Sequence, residues 1–512
     1  MIAIIGAGIS GLTLAAALEK KQKPYLLFEG SQRIGGNLFS KKWQDKYLIE
    51  CGANSLLADD FILDFIKKIG LEAEMVRANP VSKNRYILKK GRYHKLPTSP
   101  PALLTSSFFS FKTKLKILSE FFYKNKIKSE TNEKIEPAEF ETLATFFARH
   151  FGKEVVEYAV NPFVGGIYAG KAEELLLSLT FPQLKEMERQ YGSILKGFIK
   201  NKAAERKTSL SFKGGMQRLA EALKDQLSPQ SLLLQTPITG IEYDLKSGKF
   251  RVKSQNTLNY KAESLDFQPN KNAFFSTGEN EKEELRQNEI EEKIEENTKE
   301  NTEKTWEVTQ VVLTTSAQVT AQILKGIDFG SELQQKCVAS LREGLEKLHY
   351  PPMNLVHSVF KKSDFGNFLS GSHQLDGFGA LHPPIENPFS AGSIWSSSVF
   401  EGRAPEDEVL LTSFVGGRAG EKQAQQGEAA ILADLNRELK AIYQLKNPPL
   451  YQHLHHWEKA IPQYDAKMWQ VWQAAQDFEQ TFANQFFICA NWYKGVSVSD
   501  CIKKATALAA RL

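Results

Sequence analysis

The sequence predicts an α/β fold whose main domain is assembled from both ends of the chain, together with a separate helical region. Near the N-terminus, the β-rich run from Ile2 to Ile5 leads through closely spaced glycines into an apolar helical stretch. Near the C-terminus, the run from Phe486 to Ala490 leads through another glycine turn into a second helix. Between them, apolar residues recur at helical spacing from Phe108 to Phe122. Because strands that alternate with helices are typical of helix-covered parallel sheets, we expect both chain ends to contribute to one domain.

The first glycine turn has the pattern of a dinucleotide-binding loop in a Rossmann-like domain. Gly6, Gly8 and Gly11 follow the strand as G-x-G-x-x-G, and Glu29 lies 18 residues after Gly11 at the end of the next apolar run. The first glycine permits a tight turn, the second lets the backbone approach a pyrophosphate, and the third lets the helix pack on the strand. The helix N-terminus offers free N–H groups to phosphate, and Glu29 can accept a ribose hydroxyl. The predicted cofactor contacts are Gly6, Ala7, Gly8, Ile9, Ser10, Gly11 and Glu29.

The composition is that of a folded globular protein, but its charge is unevenly distributed. Of the 512 residues, 42% are apolar and 24% are charged, with 65 basic and 60 acidic residues. The stretch from Lys83 to Lys128 has twelve basic residues and one acid, whereas Glu279 to Lys304 has eleven acids and five bases. These two segments account for the whole net charge of +5. The basic character is therefore local and gives no support for a nucleic-acid partner.

Cysteine spacing and hydropathy exclude several other classes of protein. Cys51, Cys337, Cys489 and Cys501 form no CxxC pair and have no histidine at metal-ligand spacing. We therefore predict neither a disulfide framework nor a metal site. No run of 18 apolar residues occurs outside the N-terminal glycine-containing stretch, so no transmembrane helix is predicted. That stretch lacks the basic region that precedes a signal-peptide core.

A second glycine motif favours FAD over NAD as the dinucleotide. The run Ser31-Gln-Arg33-Ile-Gly35-Gly36 follows Glu29 and resembles a motif of the FAD-dependent amine oxidase and desaturase superfamily. Asn37 stands where many members of that superfamily carry Arg or Trp. The resemblance implies that Arg33, Gly35 and Gly36 lie against the FAD pyrophosphate. It also places the run Gly52-Ala53-Asn54-Ser55 beneath the flavin ring and adds Ile238 to the cofactor contacts.

The C-terminal turn completes the predicted FAD site. Asn491 and the run Gly495-Val496-Ser497-Val498 lie between a predicted strand and a predicted helix. A helix N-terminus at this position offers positive dipole density to the N1–C2=O edge of the flavin, where negative charge builds in the reduced cofactor. We therefore expect Asn491, Gly495, Val496, Ser497 and Val498 to contact FAD.

Eight further segments, in order along the chain, resemble the oxygen-dependent porphyrinogen oxidases of heme synthesis. They are NPFVGGIYAG at 161–170, SFKGGMQRL at 211–219, PMNLV at 352–356, GFGAL at 377–381, RAP at 403–405, LLTSFVGG at 410–417, AIPQY at 460–464 and GVSV at 495–498. By this resemblance the chain is identified as a member of that family. The similarity spans nearly the whole sequence except residues 252 to 305.

The resemblance implies an enzyme that uses FAD as cofactor and O2 as electron acceptor. Three two-electron oxidations would convert protoporphyrinogen IX to protoporphyrin IX, with electrons passing through flavin N5 to O2 and H2O2 released. The substrate residues that it implies are Arg85 for a propionate, Phe378 and Leu381 for ring packing, Phe414 for the other ring face, and Gly166 for a close backbone approach.

No general base is evident in the sequence. The histidines His357, His382, His453, His455 and His456 lie in no motif that we interpret as catalytic. We therefore expect no catalytic side chain: a meso C–H delivers hydride to flavin N5, and the pyrrole protons leave to solvent.

Three alternatives remain open at this point. Coproporphyrinogen III, which close relatives oxidise, is the second candidate substrate, although the Asn84-Arg85-Tyr86 context favours protoporphyrinogen. An amine oxidase of the same fold would need an aromatic pair flanking the amine, and the sequence lacks it. A flavoprotein that only binds a tetrapyrrole, as a carrier or sensor, is the third.

The basic segment contains a helix with an apolar stripe. Phe108, Phe111, Leu115, Leu118 and Phe122 recur at helical spacing, with lysines between and after them. Such a helix is typical of a membrane-surface element, and the alternative is a bundle helix whose stripe lies in the core. The resemblance favours the membrane. We therefore expect a cytoplasmic protein attached peripherally to the inner face of the membrane, and the sequence leaves a homodimer open.

These interpretations divide the chain into three folded parts and one insertion. The FAD-binding domain comprises residues 1–78, 206–251, 306–325 and 455–512, and is discontinuous. An α+β substrate-binding domain with a mixed sheet comprises 79–95 and 326–454, and a helical, membrane-facing domain comprises 96–205. Residues 252–305 are rich in Glu, Asn, Lys and Gln, so we expect a disordered acidic insertion, with a short solvated helix near 281–296.

Overall fold

The structure is a computed structural model that describes residues 1–97, 100–123, 140–200, 207–244, 246–255, 303–329, 331–366, 368, 375–482 and 485–512. Most of the predicted acidic insertion, including its short helix, lies outside the described residues, as do Lys124, Lys126 and Lys128. All four cysteines are unpaired thiols.

The strands and helices are numbered in chain order. The strands are β1 (Ile2–Ile5), β2 (Tyr25–Phe28), β3 (Ser40–Trp43), β4 (Tyr47–Glu50), β5 (Leu56–Ala58), β6 (Met75–Arg77), β7 (Tyr86–Lys89), β8 (Arg92–Lys95), β9 (Thr208–Phe212), β10 (Leu232–Leu233), β11 (Ile238–Asp244), β12 (Lys249–Gln255), β13 (Glu303–Val308), β14 (Gln310–Leu313), β15 (Ile327–Phe329), β16 (Met353–Lys361), β17 (Gly379–Leu381), β18 (Gly392–Ile394), β19 (Glu408–Gly416), β20 (Tyr451–Trp457) and β21 (Phe486–Ile488). The helices are α1 (Ile9–Lys20), α2 (Asp60–Lys68), α3 (Pro100–Thr105), α4 (Phe111–Ser119), α5 (Leu143–Phe151), α6 (Lys153–Val155), α7 (Asn161–Tyr168), α8 (Leu177–Thr180), α9 (Pro182–Tyr191), α10 (Ile194–Lys200), α11 (Gln217–Lys224), α12 (Ala317–Lys325), α13 (Glu332–Glu346), α14 (Ser396–Val399), α15 (Glu421–Ala424), α16 (Glu428–Tyr443), α17 (Ala466–Thr481) and α18 (Val498–Arg511).

The first sheet joins the two ends of the chain. Its strand order is β10-β2-β1-β14-β21, and every neighbouring pair is parallel. Its strands are short apolar runs such as Ile2–Ile5, which is buried along its whole length. Strands buried on both faces are expected where helices cover a parallel sheet. The C-terminal strand β21 pairs with β14, so both ends of the chain contribute to one sheet, as the two strand–turn–helix runs predict.

A seven-stranded mixed sheet forms the second main element, in the order β20-β16-β19-β18-β17-β7-β8. Only β17 and β7 run parallel, and the other neighbours are antiparallel. One face of this sheet packs with Val356, Leu411 and Val415 against Leu435 and Leu439 of α16. The opposite face carries Leu355 and Phe414 and faces the first half of the chain. We call it the substrate face.

The domain limits differ from the prediction at two places. The predicted start of the last FAD segment, residue 455, falls inside β20, which pairs with β16 of the seven-stranded sheet as far as Trp457. The predicted start of the substrate segment, residue 326, precedes β15 and α13. β15 pairs with β11, and α13 buries Leu341 in the same core as the parallel sheet. Both domain limits depend on how strands from distant segments pair, and this pairing cannot be predicted from the local sequence.

The apolar stripe of the basic segment is divided between core and surface. Phe108 precedes α4, is 1% exposed and packs edge-to-face on Phe109, so its assignment to the exposed stripe was wrong. Phe111, Leu115, Leu118 and Phe122 remain exposed, at 76%, 51%, 41% and 84%. The alternative of a core-facing stripe therefore does not hold for these four residues. No helix in the described ranges is long and apolar enough to cross a membrane.

Candidate cofactor and substrate site

The first glycine loop has the geometry of a phosphate-binding turn. Gly6 has φ +108°, a left-handed value that favours glycine, and a Cβ there would lie 2.9 Å from Thr314 Oγ1. A Cβ on Gly11 would lie 1.9 Å from the Gly6 carbonyl oxygen, so α1 can pack this closely only without a side chain. A Cβ on Gly8 would meet no atom within 4 Å. The loop therefore has no room for a side chain at Gly6 or Gly11, where it packs on the protein. It has free space at Gly8, where a bound pyrophosphate would approach the backbone.

Glu29 and Arg33 brace the loops around this turn. Glu29 accepts hydrogen bonds from the Ala7 N–H at 2.8 Å and from the N–H and hydroxyl of Ser31 at 3.0 and 2.8 Å. Arg33 donates to the carbonyls of Ile34, Gly36 and Leu38 at 3.1, 2.7 and 3.0 Å, and burial lowers the pKa of its guanidinium. Both side chains therefore hold the loops in shape, and their contacts to the cofactor stay predictions.

The second glycine motif lies directly on the first. Gly35 donates its N–H to the Ala7 carbonyl at 2.8 Å, and a Cβ on Gly36 would lie 3.3 Å from Gly8 Cα. Gly52 approaches the same region, because its Cβ would lie 2.0 Å from the Asn37 carbonyl oxygen. The structure thus brings the three glycine-containing segments together around Gly8.

Lys504, which the sequence analysis did not identify, stabilises the C-terminal loop. Lys504 of α18 donates to the carbonyls of Ala490 and Gly495 at 2.7 and 2.9 Å. Ser497 is the N-cap of α18 and accepts from the Asp500 N–H at 3.1 Å, while the Asp500 carboxylate accepts from the Ser497 N–H at 3.2 Å. The predicted helix start at this turn is therefore present and capped.

The remaining predicted cofactor residues lie around this core. Ile9 and Val498 pack in one apolar cluster that also includes Ala53, and Ser10 hydrogen-bonds Cys501 of α18. Ser55 accepts from the Ser209 hydroxyl at 3.3 Å, and Ile238 is buried in the core of the parallel sheet. Asn491 accepts a bond from Tyr464 through its carbonyl, and Val496 packs at the edge of the same core.

The predicted substrate residues form one continuous surface. The Arg85 guanidinium lies over the Phe378 ring at 4.2 Å and donates to the Ser82 carbonyl. Burial lowers the pKa of Arg85, and no carboxylate pairs with it in the described part of the chain. A half-buried cation without an acid partner is suited to bind the carboxylate of a ligand.

Gly166, Leu381 and Phe414 extend this surface across the sheet. A Cβ on Gly166 would lie 3.0 Å from Leu381 Cδ2, so α7 rests directly on β17. Leu381 is paired with Gly392, and Gly392 is paired with Phe414. Gly392 thus lies between Leu381 and Phe414 in the sheet, and a Cβ there would lie 2.2 Å from the Ala380 carbonyl oxygen. A π-helical turn, Val156–Val160, immediately precedes α7, and such turns are frequent near functional sites.

One pocket joins the predicted cofactor and substrate residues. It is small, with room for about one water molecule, and is lined by Leu48, Glu50, Asn54, Phe378, Ile394, Ser396, Phe400, Arg403 and Thr412. Asn54 comes from the segment predicted to lie beneath the flavin, and Phe378 comes from the substrate set. The two sets of residues therefore meet at this pocket.

A buried ion pair in this pocket was missed by the sequence analysis. Arg403 donates to Glu50 at 2.8 Å, and the two side chains are 3% and 4% exposed. Burial raises the pKa of Glu50, and Arg403 opposes this shift. Both residues stand in segments that were singled out, Glu50 just before the Gly52 run and Arg403 in the RAP motif, but nothing local in the sequence joins them.

The substrate face also carries histidines whose position the sequence did not reveal. His453 and His455 on β20 face the β3–β4 hairpin, with ring centroids 5.8 Å from Trp43 and 6.0 Å from Phe39. Burial lowers the pKa of each imidazole to about 4. Neutral histidines therefore form part of the contact between the two halves of the molecule.

This contact predicts a stability that depends on pH. Because both histidines have a folded-state pKa near 4 and an unfolded value near 6.5, the unfolded chain binds more protons between these values. Stability should be complete above pH 6.5 and should fall by about 1.4 kcal/mol per pH unit for each histidine as the pH drops towards 4. Urea denaturation at pH 7 and pH 5 measures this slope. His453→Gln/His455→Gln should flatten it, Tyr451→Phe on the same strand should not, and an equal slope in parent and double variant would refute the assignment.

The site fits FAD on three observations of the chain itself. The first loop is open only at Gly8, a second glycine loop lies against it, and a capped helix starts at the C-terminal turn. Within the described residues, no group of three or more His, Cys, Asp or Glu side chains could hold a metal ion.

Comparison with known proteins gives the same assignment at the level of family. The profile of the flavin containing amine oxidoreductases matches residues 9–265 and 281–512 of the chain. The chain is 28% identical to protoporphyrinogen oxidase 2, chloroplastic/mitochondrial, of Arabidopsis thaliana, over 98% of this chain and 91% of that protein. It is 24% identical to coproporphyrinogen III oxidase of Bacillus subtilis (strain 168), over 99% and 96% of the two chains.

Solved structures show the same fold. A structure from Exiguobacterium sp. 255-15, described as a candidate protoporphyrinogen oxidase, aligns with a TM-score of 0.71 at 19% identity, over 100% of this chain and 98% of that one. Cyclohexylamine oxidase from Brevibacterium oxydans IH-35A aligns with a TM-score of 0.61 at 15% identity, over the same shares. At these identities the alignments establish the fold alone.

Proposed function

This chain belongs to the flavin containing amine oxidoreductase family, and we propose that it oxidises protoporphyrinogen IX to protoporphyrin IX. It is an FAD-dependent oxidoreductase, and its curated relatives are porphyrinogen oxidases. The proposal rests above all on one observation, the surface formed by Arg85, Phe378, Leu381, Gly166 and Phe414 next to the Asn54 segment.

The chemistry of this surface suits a flat apolar ring with an acidic edge. Leu355 and Phe414 provide apolar walls, and Leu381 extends this apolar surface towards Gly166 of α7. Arg85 is positioned to pair with one carboxylate of a propionate. The FAD, held by the glycine loops and the α18 N-terminus, would supply the hydride acceptor at N5 and the route to O2.

Coproporphyrinogen III is the second candidate, because relatives with that name match over nearly the whole chain. Coproporphyrinogen has four propionates, whereas protoporphyrinogen IX has two propionates and two vinyl groups. Arg85 is the cation of this surface, and it has no acid partner in the described residues. Because burying an unpaired carboxylate is costly, a surface with this cation favours the substrate with fewer carboxylates. Porphyrin formation under air, followed by fluorescence with each porphyrinogen, should show a higher kcat/KM for protoporphyrinogen IX and H2O2 in proportion to product. A higher value for coproporphyrinogen III would transfer the proposal to that substrate.

We further propose that the protein attaches peripherally to the inner face of the membrane through α4. Glu120, just after α4, accepts bonds from the N–H groups of Ile194 and Leu195, so α4 and α10 meet there. α4 exposes Phe111 and Leu115, and α10 exposes Phe198 and Ile199 at 55% and 52%. Apolar side chains on helices that also carry lysines are suited to an anionic lipid surface.

Removal of two aromatic side chains should weaken this attachment. Phe111→Ser/Phe122→Ser should lower partitioning onto anionic vesicles by roughly 10-fold per phenylalanine, because each loses the transfer free energy of its ring. Co-sedimentation with phosphatidylserine-containing vesicles measures the effect. Leu333→Ser, at an apolar position on α13 that is 66% exposed, is the control. Equal sedimentation of the double variant and the parent would contradict the proposal.

A further inference from the structure

A polar row crosses the substrate face beside the apolar row that carries Phe414. On β20, β16 and β19 the aligned residues of the polar row are His453, His357 and Thr412. Two residues away on each strand, the neighbouring row on the same face consists of His455, Leu355 and Phe414. Because side chains two residues apart in a strand share a face, the polar row runs next to the proposed substrate position.

Hydrogen bonds connect this row to the pocket shared by the two halves of the site. The hydroxyls of Ser396 and Thr412 are 2.8 Å apart, and Thr412 Oγ1 lies 3.1 Å from His357 Nδ1. Ser396 and Thr412 both line the pocket that also contains Asn54 and Phe378, which has room for about one water molecule. An unbroken hydrogen-bonded chain therefore leads from the pocket to His357.

His357 is an unusual member of this chain. The residue is 0% exposed, burial lowers its pKa well below the usual range, and its Nε2 has no hydrogen-bond partner in the described part of the chain. Its ring stacks at 6.2 Å on that of His453, which is partly exposed. A buried imidazole nitrogen without a partner is costly, and such groups are retained where a function uses them. Transfer from His357 to His453 therefore needs an intervening water molecule or a rotation of the His357 ring.

The pocket also contains one acidic residue, Glu50, which hydrogen-bonds to other groups. Glu50 accepts bonds from Arg403, the Met216 N–H and the Ser40 hydroxyl. No hydrogen bond among the described residues joins Glu50 to Ser396, Thr412 or His357, so Glu50 lies outside this hydrogen-bonded chain. The hydroxyl and imidazole groups are the remaining carriers that the pocket offers.

We infer that Ser396, Thr412, His357 and His453 form a path that carries protons between the substrate pocket and solvent. The inference rests on the proposed oxidation. Each of its three steps would take one hydride from a meso C–H bond of the substrate to the bound cofactor and release one proton into the path at Ser396. Over the three steps, two of these protons would come from pyrrole N–H bonds and one from the fourth meso carbon, and the electron pair of each bond would stay on the ring. Reoxidation by O2 would take the hydride and one proton to form H2O2, so the same path would return one proton per step.

The test compares variants that remove one carrier with neighbours on the other face. Thr412→Val removes a hydroxyl at nearly constant shape, and Ser413→Ala removes one from the adjacent residue on the opposite face. His357→Gln and His456→Gln form a second matched pair. Each FAD-loaded protein is mixed anaerobically with protoporphyrinogen IX in H2O and D2O while flavin absorbance is followed. Selective ¹⁵N labelling of the nine histidines reports the tautomer of His357 without turnover.

The inference predicts slower flavin reduction in Thr412→Val and His357→Gln, by roughly 10²- to 10⁴-fold, the range typical of lost general acid–base catalysis. The solvent isotope effect should increase in both, and the control variants should match the parent. The NMR spectrum should show His357 with its proton on Nε2 and a changed Nδ1 signal in Thr412→Val. Parental rates in both variants, or slower rates with an unchanged isotope effect, would overturn the path while leaving the oxidation in place. A parent protein that is not reduced at all would overturn the proposed function and the path with it.

Discussion

Arg85→Ala should raise the KM for protoporphyrinogen IX by roughly 10- to 100-fold, which corresponds to the 1.5–3 kcal/mol typical of a charge-assisted hydrogen bond. The guanidinium is pre-positioned over Phe378 and has no carboxylate partner in the described residues, so a substrate propionate gains a partner that the protein itself does not supply. Since the arginine contacts an edge of the substrate rather than the reacting carbon, kcat should change little.

Steady-state kinetics under air measure both constants. Arg85→Lys should recover part of the affinity, because a lysine keeps the charge but not the planar pair of donors. Arg437→Ala on α16, where the arginine is 77% exposed and pairs with Asp434, is the control for loss of a cation. An Arg85→Ala enzyme with the KM of the parent would remove this residue from the substrate site.

Arg403→Leu should lower the free energy of unfolding by roughly 3–5 kcal/mol, the cost typical of removing one partner from a buried ion pair. Glu50 would stay buried with only its bonds from Ser40 and the Met216 N–H. Because Arg403 also donates to Ser211 at 2.6 Å, its removal leaves a second buried polar group with one bond fewer. The pair joins β4, β9 and the loop before β19, so the loss should appear as a lower melting temperature of the FAD-loaded protein.

Arg418→Leu is the matched control for this change. Arg418 pairs with Glu174 at 2.6 Å, but both side chains are about one-third exposed. Exposed pairs of this kind contribute about 0–1 kcal/mol. The double variant Glu50→Gln/Arg403→Leu should recover part of the loss by removing the uncompensated charge. Equal melting temperatures for Arg403→Leu and Arg418→Leu would contradict the structural role of the buried pair.

The parts of the site that depend on local sequence were predictable. A glycine loop between a strand and a helix fixes its own geometry, so the positions of Gly6, Gly8 and Gly11 followed from their spacing alone. The same holds for the capped start of α18, where Ser497 and Asp500 are only three residues apart. The mixed α/β fold and the union of both chain ends in one sheet followed from these two local patterns.

The parts that depend on strand register were not predictable. His453, His357 and Thr412 form a row only because β20, β16 and β19 align in one register, and 96 and 55 residues of chain separate the neighbouring members. Glu50 and Arg403 are 353 residues apart and likewise meet only through the tertiary fold. Phe108 shows the limit of periodicity: it continues the apolar spacing of α4, yet its contact with Phe109 places it in the core.

Anaerobic mixing of the FAD-loaded protein with protoporphyrinogen IX tests the central claim most directly. Without O2 the reduced flavin cannot be reoxidised, so the spectrum isolates the transfer from substrate to cofactor. We predict loss of the oxidised flavin absorbance and its recovery, with porphyrin and H2O2, when air is admitted. A flavin spectrum that stays oxidised with both protoporphyrinogen IX and coproporphyrinogen III would contradict the assignment as a porphyrinogen oxidase.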